Sequence, residues 1–406
     1  MENTSESIQH PTLDSPSNSP SEETKQTKST QALIQSYLRQ HLAVYRELCE
    51  VREAGHENEE CEAYFQKQRN RADDANTEVQ LGFFKLMRTI GSKLDDATSA
   101  LTIQRRGKPR PAILDLCLAP GGFSFAALKR NGWSTIVRGI SLPPAQGGHE
   151  VLLRNVSSED TTNATKFVDY RDITLLAEEM GVPLSDIPAS HPDRDLFSSD
   201  RPYFGRKFDL VICDGQVLRT HERGEHRQEH EAVRLLTSQL VLGLQRIRSG
   251  GTMVILLHRA DIWPSINLIY TLSRCSGSVE LFKPLTAHRM RSSFYLIVKD
   301  VKPGQEAAVQ AVERWKAQWK IATFGEEVMD EREWEALGGI QGSAIKAEAV
   351  LKEFGNELLR LAEPVFAVQL EALRNAPWMR NAREGKEKTK DEDKDETLGV
   401  KQEDLS

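Results

Sequence analysis

A glycine-rich turn is the strongest chemical signal in the chain. The segment DLCLAPGGFSFAAL, which begins at Asp115, reads as an apolar strand, a turn at Pro120-Gly121-Gly122 and a helix. Glycines let the backbone approach a ligand closely, and the start of a helix presents free N–H groups. The pattern favours a nucleotide-like cofactor at the carboxyl end of the first strand, although a tight turn without a ligand would have the same sequence.

A carboxylate stands at the corresponding place in a second strand. Asp214 directly follows the apolar run FDLVIC, at the end of a strand where site carboxylates of open α/β sheets lie. Asp-Gly is also a frequent turn pair, so a purely structural role for Asp214 stays open.

Histidines and cysteines do not form a convincing metal site. His226 and His230 have i, i+4 spacing, but the segment THERGEHRQEH around them is charged and typical of a solvated surface. The five cysteines are scattered and contain no CxxC pair. We therefore assign no metal, and the absence of a disulfide pattern favours a reducing intracellular compartment, nuclear or cytoplasmic.

The elements that must position these residues alternate between strand and helix. The strand candidates, in order, are AILDLCLA, STIVRGISL, TKFVDY, KFDLVICDG, GTMVILLH, SVELFKPL and SFYLIVKD. Helical patterns between them predict an α/β fold with a mostly parallel sheet and helices on both faces. The connection 175–205 is predicted to be an irregular surface insertion.

Composition divides the chain into five parts. We predict a disordered segment (1–30), a helical N-terminal extension (31–105), the α/β domain (106–300), a helical C-terminal extension (301–383) and a disordered charged tail (384–406). The apolar stripes of the extensions predict packing against the domain, substrate specificity or a protein partner.

Charge is unevenly distributed. The net charge is −7, but residues 81–300 hold 29 Lys and Arg against 23 Asp and Glu, and 21 of these cations are Arg. Arg favours bidentate phosphate contacts, so the middle of the chain is compatible with a nucleic acid. No apolar run approaches the roughly 18 residues of a membrane span, and the Ser-rich N-terminus lacks the apolar core of a secretory signal.

Six ordered segments resemble one enzyme family. DLCLAPGGFS resembles the DLxxAPGGWS signature of the FtsJ/RrmJ family of S-adenosylmethionine-dependent RNA 2′-O-ribose methyltransferases. RGISLPP, FVDYRD, FDLVICDG, GGTMVILL and KPLTAHRMRSSFYLIV are similar to later family motifs, and FFKL to an upstream one, over about residues 85–300. The resemblance implies a Rossmann-like class I methyltransferase sheet of seven strands with the last antiparallel, S-adenosylmethionine as cofactor and RNA as partner.

The resemblance also implies a cofactor site. Gly121, Gly122 and Phe123 would line the methionine and sulfonium part, and Asp169 would lie near the adenine. Ser141 occupies a position that is usually acidic in the family, so we expect weaker cofactor binding, because charge-assisted hydrogen bonds are about twice as strong. The implied cofactor-binding positions are Asp115, Gly121, Gly122, Phe123, Ser141, Asp169 and Asp214.

Half of the family's Lys-Asp-Lys-Glu catalytic tetrad is replaced. Lys85 matches the first lysine and Asp214 the aspartate, and both would align the substrate. Leu256 stands at the second lysine position and Ser293 at the glutamate position. Loss of a positioned acid–base group typically costs about 10²–10⁴-fold in rate.

His258 is a candidate substitute for the missing lysine. It lies two residues after Leu256, on the same face of a strand and about 6.5–7 Å further along, and imidazole accepts protons near neutral pH. A solvent-facing histidine at the end of a strand is the alternative. Arg259, Arg289 and Arg291 are candidates to hold phosphate.

Three functions therefore remain open. The first is a methyltransferase acting on RNA ribose hydroxyls. The second is a catalytically degenerate domain that binds RNA or forms complexes. The third is a methyltransferase with a different acceptor.

Overall fold

In the computed structural model, residues 22–73, 77–104, 110–153, 167–325 and 342–379 are described. Their strands form one seven-stranded sheet of order β3-β2-β1-β4-β5-β7-β6. Neighbours from β3 to β5 are parallel, and β7 runs antiparallel to β5 and β6. All seven strand predictions and the antiparallel last strand are confirmed. The strands are β1 (Ala112–Leu116), β2 (Ile136–Ser141), β3 (Val168–Tyr170), β4 (Phe208–Cys213), β5 (Ile247–His258), β6 (Ser278–Phe282) and β7 (Ser293–Val301).

The register brings the ends of three strands together. Leu116 of β1 lies beside Ile140 of β2 and Cys213 of β4. Every residue of β1 is buried, which explains why all of them except Asp115 are apolar. The segments that follow β1, β2 and β4 consequently meet at one edge of the sheet, where functional groups of such folds collect.

Helices cover both faces of the sheet. The helices are α1 (Glu22–His41), α2 (Ala43–His56), α3 (Glu59–Asp73), α4 (Thr77–Thr98), α5 (Gly122–Asn131), α6 (Glu231–Arg246), α7 (Trp263–Ser273), α8 (Glu306–Phe324) and α9 (Gly342–Arg374). The start of α5 packs closely on α4, because a Cβ atom added to Gly122 would lie 2.5 Å from the carbonyl oxygen of Phe84. Only glycine permits this contact.

The terminal helices share one buried core with the sheet. The rings of Tyr45 in α2 and Phe366 in α9 lie 4.9 Å apart, and both residues belong to the apolar cluster that includes β4 and β5. Helix α1 begins at Glu22, so the disorder predicted for 1–30 is wrong for residues 22–30.

The connection 175–205 is irregular, as predicted, but it is not only a surface feature. It contains two short 3₁₀ turns, Leu184–Asp186 and Arg194–Leu196. Phe197 is buried against Trp319 of α8, and the buried Glu179 accepts a 2.6 Å hydrogen bond from Arg246 of α6. The surface prediction therefore holds only in part: many residues of the segment are exposed, but these side chains anchor it to the core.

Some predictions concern residues that lie outside the described ranges. Residues 1–21, residues 105–109 and the charged tail 384–406 lie outside them. Within the described residues, no helix combines the length and apolar character that crossing a membrane requires. All five cysteines are free thiols.

Candidate cofactor and acceptor site

A cavity of about 410 Å³ opens at the shared edge of β1, β2 and β4. Its size lies within the range of about 300–1,000 Å³ that is typical of small-molecule sites. Helix α4 adds Phe83 and Met87 to its wall, and the loop before β7 adds Arg291. Six of the seven predicted cofactor positions line it: Asp115, Gly121, Gly122, Phe123, Ser141 and Asp214.

The glycine turn has the backbone geometry that the sequence predicts. Gly121 has φ 97°, which is a left-handed conformation that strongly favours glycine, and its missing Cβ atom would lie 3.0 Å from the Cβ of Leu153. No side chain caps the start of α5. Because the first N–H groups of a helix have no partner within the helix, the start of α5 can offer donors to a ligand in the cavity.

Asp115 holds an unsatisfied carboxylate oxygen in the cavity wall. The residue is 1% exposed, and its Oδ2 accepts a 2.6 Å hydrogen bond from Ser124 Oγ. Its Oδ1 is buried and finds no hydrogen-bond partner among the described residues. Burial raises the pKa of this carboxyl to about 7, although the bond from Ser124 acts in the opposite direction. Such an oxygen calls for a donor, preferably a cation.

Asp214 places a second carboxylate in the same cavity. Burial and the negative charge of Asp115 raise the pKa of Asp214 well above its usual range. The next residue, Gly215, donates its N–H to Gln239 Oε1 of α6 at 2.9 Å, which fixes the backbone after β4. Asp214 thus combines a turn position with a place in the cavity wall.

A buried ionic cluster forms another wall. Arg227 Nη2 donates to Asp172 Oδ2 at 2.7 Å and to Glu231 Oε1 at 2.8 Å. Burial alone would raise the pKa of Asp172, but His221 and Arg227 outweigh it and hold that pKa well below its usual range. Asp172, His221 and Glu231 are close enough to share an ion, yet Arg227 already supplies positive charge there.

The sequence did not identify this cluster, although Arg227 and Glu231 have the i, i+4 spacing of an ion pair. The His226 and His230 pair does not share a ligand site. His226 Nε2 instead lies 3.0 Å from Asp193 Oδ2, and His230 directly precedes α6.

Asp169 is not brought to the cavity. Its Oδ1 lies 2.8 Å from Arg171 Nε, and Arg171 Nη1 donates to Asp200 Oδ2 at 2.7 Å. Arg171 and Asp172, not Asp169, line the cavity. The short strand β3 ends at Tyr170, so the acidic residue that reaches the cavity comes after the strand. A direct role for Asp169 at the adenine stays a prediction.

Lys85 is also placed away from the cavity. Phe83 and Met87 line it from one face of α4, and Lys85 lies midway between them in sequence, about 200° around the helix from each. Its side chain is exposed. A catalytic role for Lys85 stays a prediction that this arrangement does not favour.

The two replaced tetrad positions lie on paired strands. Leu256 of β5 pairs with Tyr295 of β7, and His258 pairs with Ser293. His258 is therefore directly across from the missing glutamate and on the same face as the missing lysine. Its Nε2 lies 2.6 Å from Oε1 of Gln216, a residue that lines the cavity.

The environment of His258 favours its neutral form. Desolvation of the ring and the positive charges of Arg291 and Lys283 lower the pKa of His258, although the residue also has a surface exposed to solvent. Gln216 Nε2 donates to the carbonyl oxygen of Gly215 at 2.9 Å, so its Oε1 faces the imidazole. Because Oε1 can only accept, Nε2 of His258 carries the proton and Nδ1 is the acceptor.

Tyr295 lies beneath this edge. Its hydroxyl is buried and has no hydrogen-bond partner in the part of the chain that the structure describes, and its ring lies 5.4 Å from that of Phe123. Burial and the negative charge of Asp214 raise the pKa of Tyr295 well above its usual range. The hydroxyl is therefore a neutral group held close to the cofactor turn.

Lys283 is a site residue that sequence reasoning missed. It is buried, and its Nζ donates to the carbonyl oxygens of Arg291 at 2.6 Å and Ser293 at 2.8 Å. Burial and the charge of Arg52 lower its pKa to about 7. Lys283 thereby holds the backbone that presents Arg291 to the cavity. Its position immediately before Pro284, at the end of β6, was the available signal.

Comparison with known families agrees with this geometry. The family model described as FtsJ-like methyltransferase matches residues 90–301, just over half of the 406 residues. The chain belongs to the FtsJ-like methyltransferase family. The matched region begins after the FFKL segment, so the family match does not include Lys85. S-adenosylmethionine is the cofactor of this family.

The curated relatives of this FtsJ-like chain include proteins that are named as mRNA methyltransferases. Cap-specific mRNA (nucleoside-2′-O-)-methyltransferase 1 of Danio rerio is 28% identical over 195 residues, 48% of this chain and 22% of that protein. The Homo sapiens protein of the same name is 26% identical over 190 residues, 47% and 21% of the two chains. The chain spans about a fifth of the length of these relatives.

Two solved methyltransferase structures align with about half of the chain. A ribosomal RNA methyltransferase from Plasmodium falciparum aligns with a TM-score of 0.31 and 19% identity, over 52% of this chain and 93% of that one. Human methyltransferase-like protein 13, in complex with SAH, aligns with a TM-score of 0.29 and 13% identity, over 55% and 91%.

The residues of the FtsJ-like cavity fit the family's cofactor. S-adenosylmethionine carries an ammonium group, and Asp115 Oδ1 is a buried carboxylate oxygen that needs such a donor. The open backbone at Gly121 and Gly122 and the hydroxyl of Ser141 lie in the same cavity. This fit rests on the chain's own geometry, independently of the family match.

Proposed function

We propose that the chain is an S-adenosylmethionine-dependent methyltransferase that acts on a ribose 2′-hydroxyl of RNA. The observation that carries the proposal is the pair of carboxylates, Asp115 and Asp214, in one cavity beside the Pro-Gly-Gly turn. The relatives are named for nucleoside-2′-O methylation of mRNA, which favours a ribose hydroxyl as acceptor.

The cofactor half of the site would work through the turn and Asp115. Bound S-adenosylmethionine would supply an electrophilic methyl group on a positively charged sulfur. Asp115 Oδ1 would accept a hydrogen bond from the methionine ammonium, and the N–H groups at the start of α5 would face the carboxylate. Ser141 would accept a neutral hydrogen bond where the family usually has a charged one.

The acceptor half would work through Asp214 and His258. Asp214, at the end of β4, would orient the hydroxyl toward the methyl group. Because its pKa is lowered, His258 is neutral at pH 7, and with Nε2 bonded to Gln216 the nitrogen that would accept a proton is Nδ1. As the acceptor oxygen takes the methyl group, its hydroxyl proton would pass to His258 Nδ1.

The decisive test is methyl transfer from labelled S-adenosylmethionine to capped and uncapped RNA, followed by digestion to nucleosides. We expect 2′-O-methylnucleosides with the wild-type chain. We expect at least about 100-fold less product with His258→Ala and with Asp214→Asn. His56→Ala, which changes an exposed histidine of α2, is the matched control.

Two results would overturn this scheme in different ways. Full transfer by His258→Ala would remove the proposed base while leaving the methyltransferase assignment intact. Failure of the wild-type chain to bind S-adenosylmethionine or its demethylated product in calorimetry would overturn the assignment itself.

A second function rests on the replaced tetrad. Leu256 and Ser293 cannot perform the family's proton transfer, and Lys85 is exposed on α4. These features favour a catalytically degenerate module that binds RNA without methylating it. RNA binding without label incorporation, on every RNA supplied, would support that function over the first.

A further inference from the structure

A shallow groove beside the cavity combines aromatic and basic side chains. We call it the α4–α5 patch. It consists of Arg88, Thr89, Ser92 and Lys93 of α4, Phe125 and Lys129 of α5, and Trp133, which follows the end of α5. Neither the cofactor nor the acceptor chemistry proposed above uses these residues.

The aromatic part is partly exposed and held in place. Trp133 is 46% exposed, although tryptophan is usually among the better-buried side chains. Its ring packs edge-on against Phe125 with 5.6 Å between centroids. The guanidinium carbon of Arg88 lies 5.5 Å from the Phe125 centroid. These contacts orient the indole while leaving much of it open to solvent.

The basic part is not neutralised by neighbouring acids. Arg88, Lys93 and Lys129 form no salt bridge with a carboxylate in the described ranges. Lys93 Nζ donates to the neutral hydroxyl of Thr286 at 3.0 Å. The nearby carboxylates Asp95 and Asp96 are engaged by Arg130, at 2.8 Å in the case of Asp95. The patch therefore presents net positive charge beside an open indole.

The patch begins at the cavity. Helices α4 and α5 run in the same direction, because Gly122 packs against Met87, Gly91 packs against Ala126, and Arg130 reaches Asp95. The start of α5 is in the cavity wall, and Trp133 follows its end. At about 1.5 Å per residue, the patch extends about 15 Å outward from the cavity.

Lys85 continues the same basic stripe. It precedes Arg88 by three residues and Thr89 by four, and these spacings place side chains on one face of a helix. Its exposed position, which does not favour a catalytic role, adds a further cation at the cavity end of the patch.

An exposed aromatic ring flanked by unpaired cations is the arrangement that binds single-stranded nucleic acid. Bases stack on the ring irrespective of sequence, and the cations contact phosphates. At about 3.4 Å per stacked nucleotide, 15 Å accommodates about four nucleotides. A protein partner would favour a larger apolar surface, whereas only one large apolar ring of this patch is widely exposed.

We propose that the α4–α5 patch binds the single-stranded RNA segment adjoining the acceptor nucleotide, with a base on Trp133 and phosphates on Arg88 and Lys129. The proposal rests on the proposed function for its choice of RNA. It adds the surface that holds the strand and predicts little dependence on base identity.

The test compares RNA affinity of full-length variants, measured by fluorescence anisotropy with a labelled single strand of about 12 nucleotides. Trp133→Ala should weaken binding roughly tenfold, and Trp133→Phe should largely restore it, because phenylalanine also stacks. Arg88→Ala with Lys129→Ala should lower the slope of log affinity against log salt by about 1.4, since each single-strand phosphate contact contributes about 0.7.

Phe204→Ala is the matched control. Phe204 is an exposed aromatic with the Arg201 guanidinium 4.2 Å from its ring, but it precedes β4, at the opposite edge of the sheet from the cavity. We expect it to bind RNA like the wild type. Calorimetric binding of S-adenosylhomocysteine should be the same in all variants, which would show that the fold and the cavity are intact.

The possible outcomes separate the two proposals. The proposal that the α4–α5 patch binds RNA would be overturned if Trp133→Ala left RNA affinity unchanged, or if Phe204→Ala lowered it equally. An unchanged affinity in Trp133→Ala is also the result expected if the patch binds a protein partner. Absence of methyl transfer by the wild-type chain would instead count against the proposed function. The anisotropy comparison would still test whether the α4–α5 patch binds RNA.

Discussion

Replacing Asp115 with asparagine tests the centre of the cofactor site. Asparagine keeps nearly the same shape and can still accept a hydrogen bond from Ser124 Oγ, but it removes the charge. In the wild type, only the ionised carboxylate can pair with a ligand ammonium. The pKa of Asp115, raised by burial to about 7, therefore makes ligand affinity depend on pH in the weakly acidic range.

The size of the effect follows from that pKa. Below pH 7 the ionised fraction of Asp115 falls about tenfold per pH unit, which corresponds to about 1.4 kcal/mol of binding free energy. We expect S-adenosylhomocysteine to bind wild type about tenfold more weakly at pH 5.5 than at pH 6.5. At pH 7.5, Asp115→Asn should bind it about 10- to 100-fold more weakly than wild type, with a nearly flat pH profile.

The assay is calorimetric titration at pH 5.5, 6.5 and 7.5. 5′-Methylthioadenosine, which has no ammonium group, is the control ligand and should bind both proteins with little pH dependence. A flat profile in the wild type, or the same slope in Asp115→Asn, would refute the pairing of Asp115 with the ammonium.

Stability provides a second readout of the same group. The raised pKa means that the ligand-free folded chain holds a proton which the unfolded chain releases near pH 4. Stability from this group is full below about pH 4 and is lost as the pH rises through 7. Asp115→Asn should therefore be more stable than wild type at pH 8, as measured by urea unfolding, and should lose this advantage at acidic pH.

Three further predictions concern the acceptor edge and its support. Asp261→Ala should lower the free energy of unfolding by about 2 kcal/mol in a urea titration, because the buried carboxylate accepts bonds from Tyr45 and Arg52 at 3.1 Å, and an effect below 0.5 kcal/mol would contradict this. Leu256→Lys with Ser293→Glu should restore methyl transfer to His258→Ala at least tenfold, and no gain in labelled product would count against the equivalence of these positions. Between pH 7 and 10 the unfolded chain keeps a proton on Lys283 that the folded chain has lost, so we expect the free energy of unfolding of the wild type to rise with pH. Lys283→Met should abolish this rise. The same pH slope in urea unfolding of both proteins would show that Lys283 does not titrate in this way.

Much of the fold was predictable because it depends on local pattern. The central strands β1 and β4 are short, mainly apolar runs, as buried parallel strands require. The Pro-Gly-Gly turn was equally predictable from the sequence, since its conformation and close packing exclude other residues at Gly121 and Gly122. The burial of Phe197 was missed, because it depends on packing partners distant in sequence.

The site was predictable only where a residue's place follows from the end of a strand. Asp115, Ser141 and Asp214 lie in or next to β1, β2 and β4, and they reach the cavity as expected. Asp169 does not, because the three-residue strand β3 ends before the acidic residue that lines the cavity. Lys85 does not, because the rotation of α4 turns Phe83 and Met87 inward instead.

The sequence by itself determined the class of chemistry: a glycine turn, carboxylates at strand ends and ordered motifs are local patterns that survive without knowledge of packing. The tertiary structure decided which groups share a cavity and in what state. The raised pKa of Asp115, the neutral His258 and the buried Lys283 arise from desolvation and from charges brought together across the fold. Such effects depend on distance in space, which no spacing along the chain specifies.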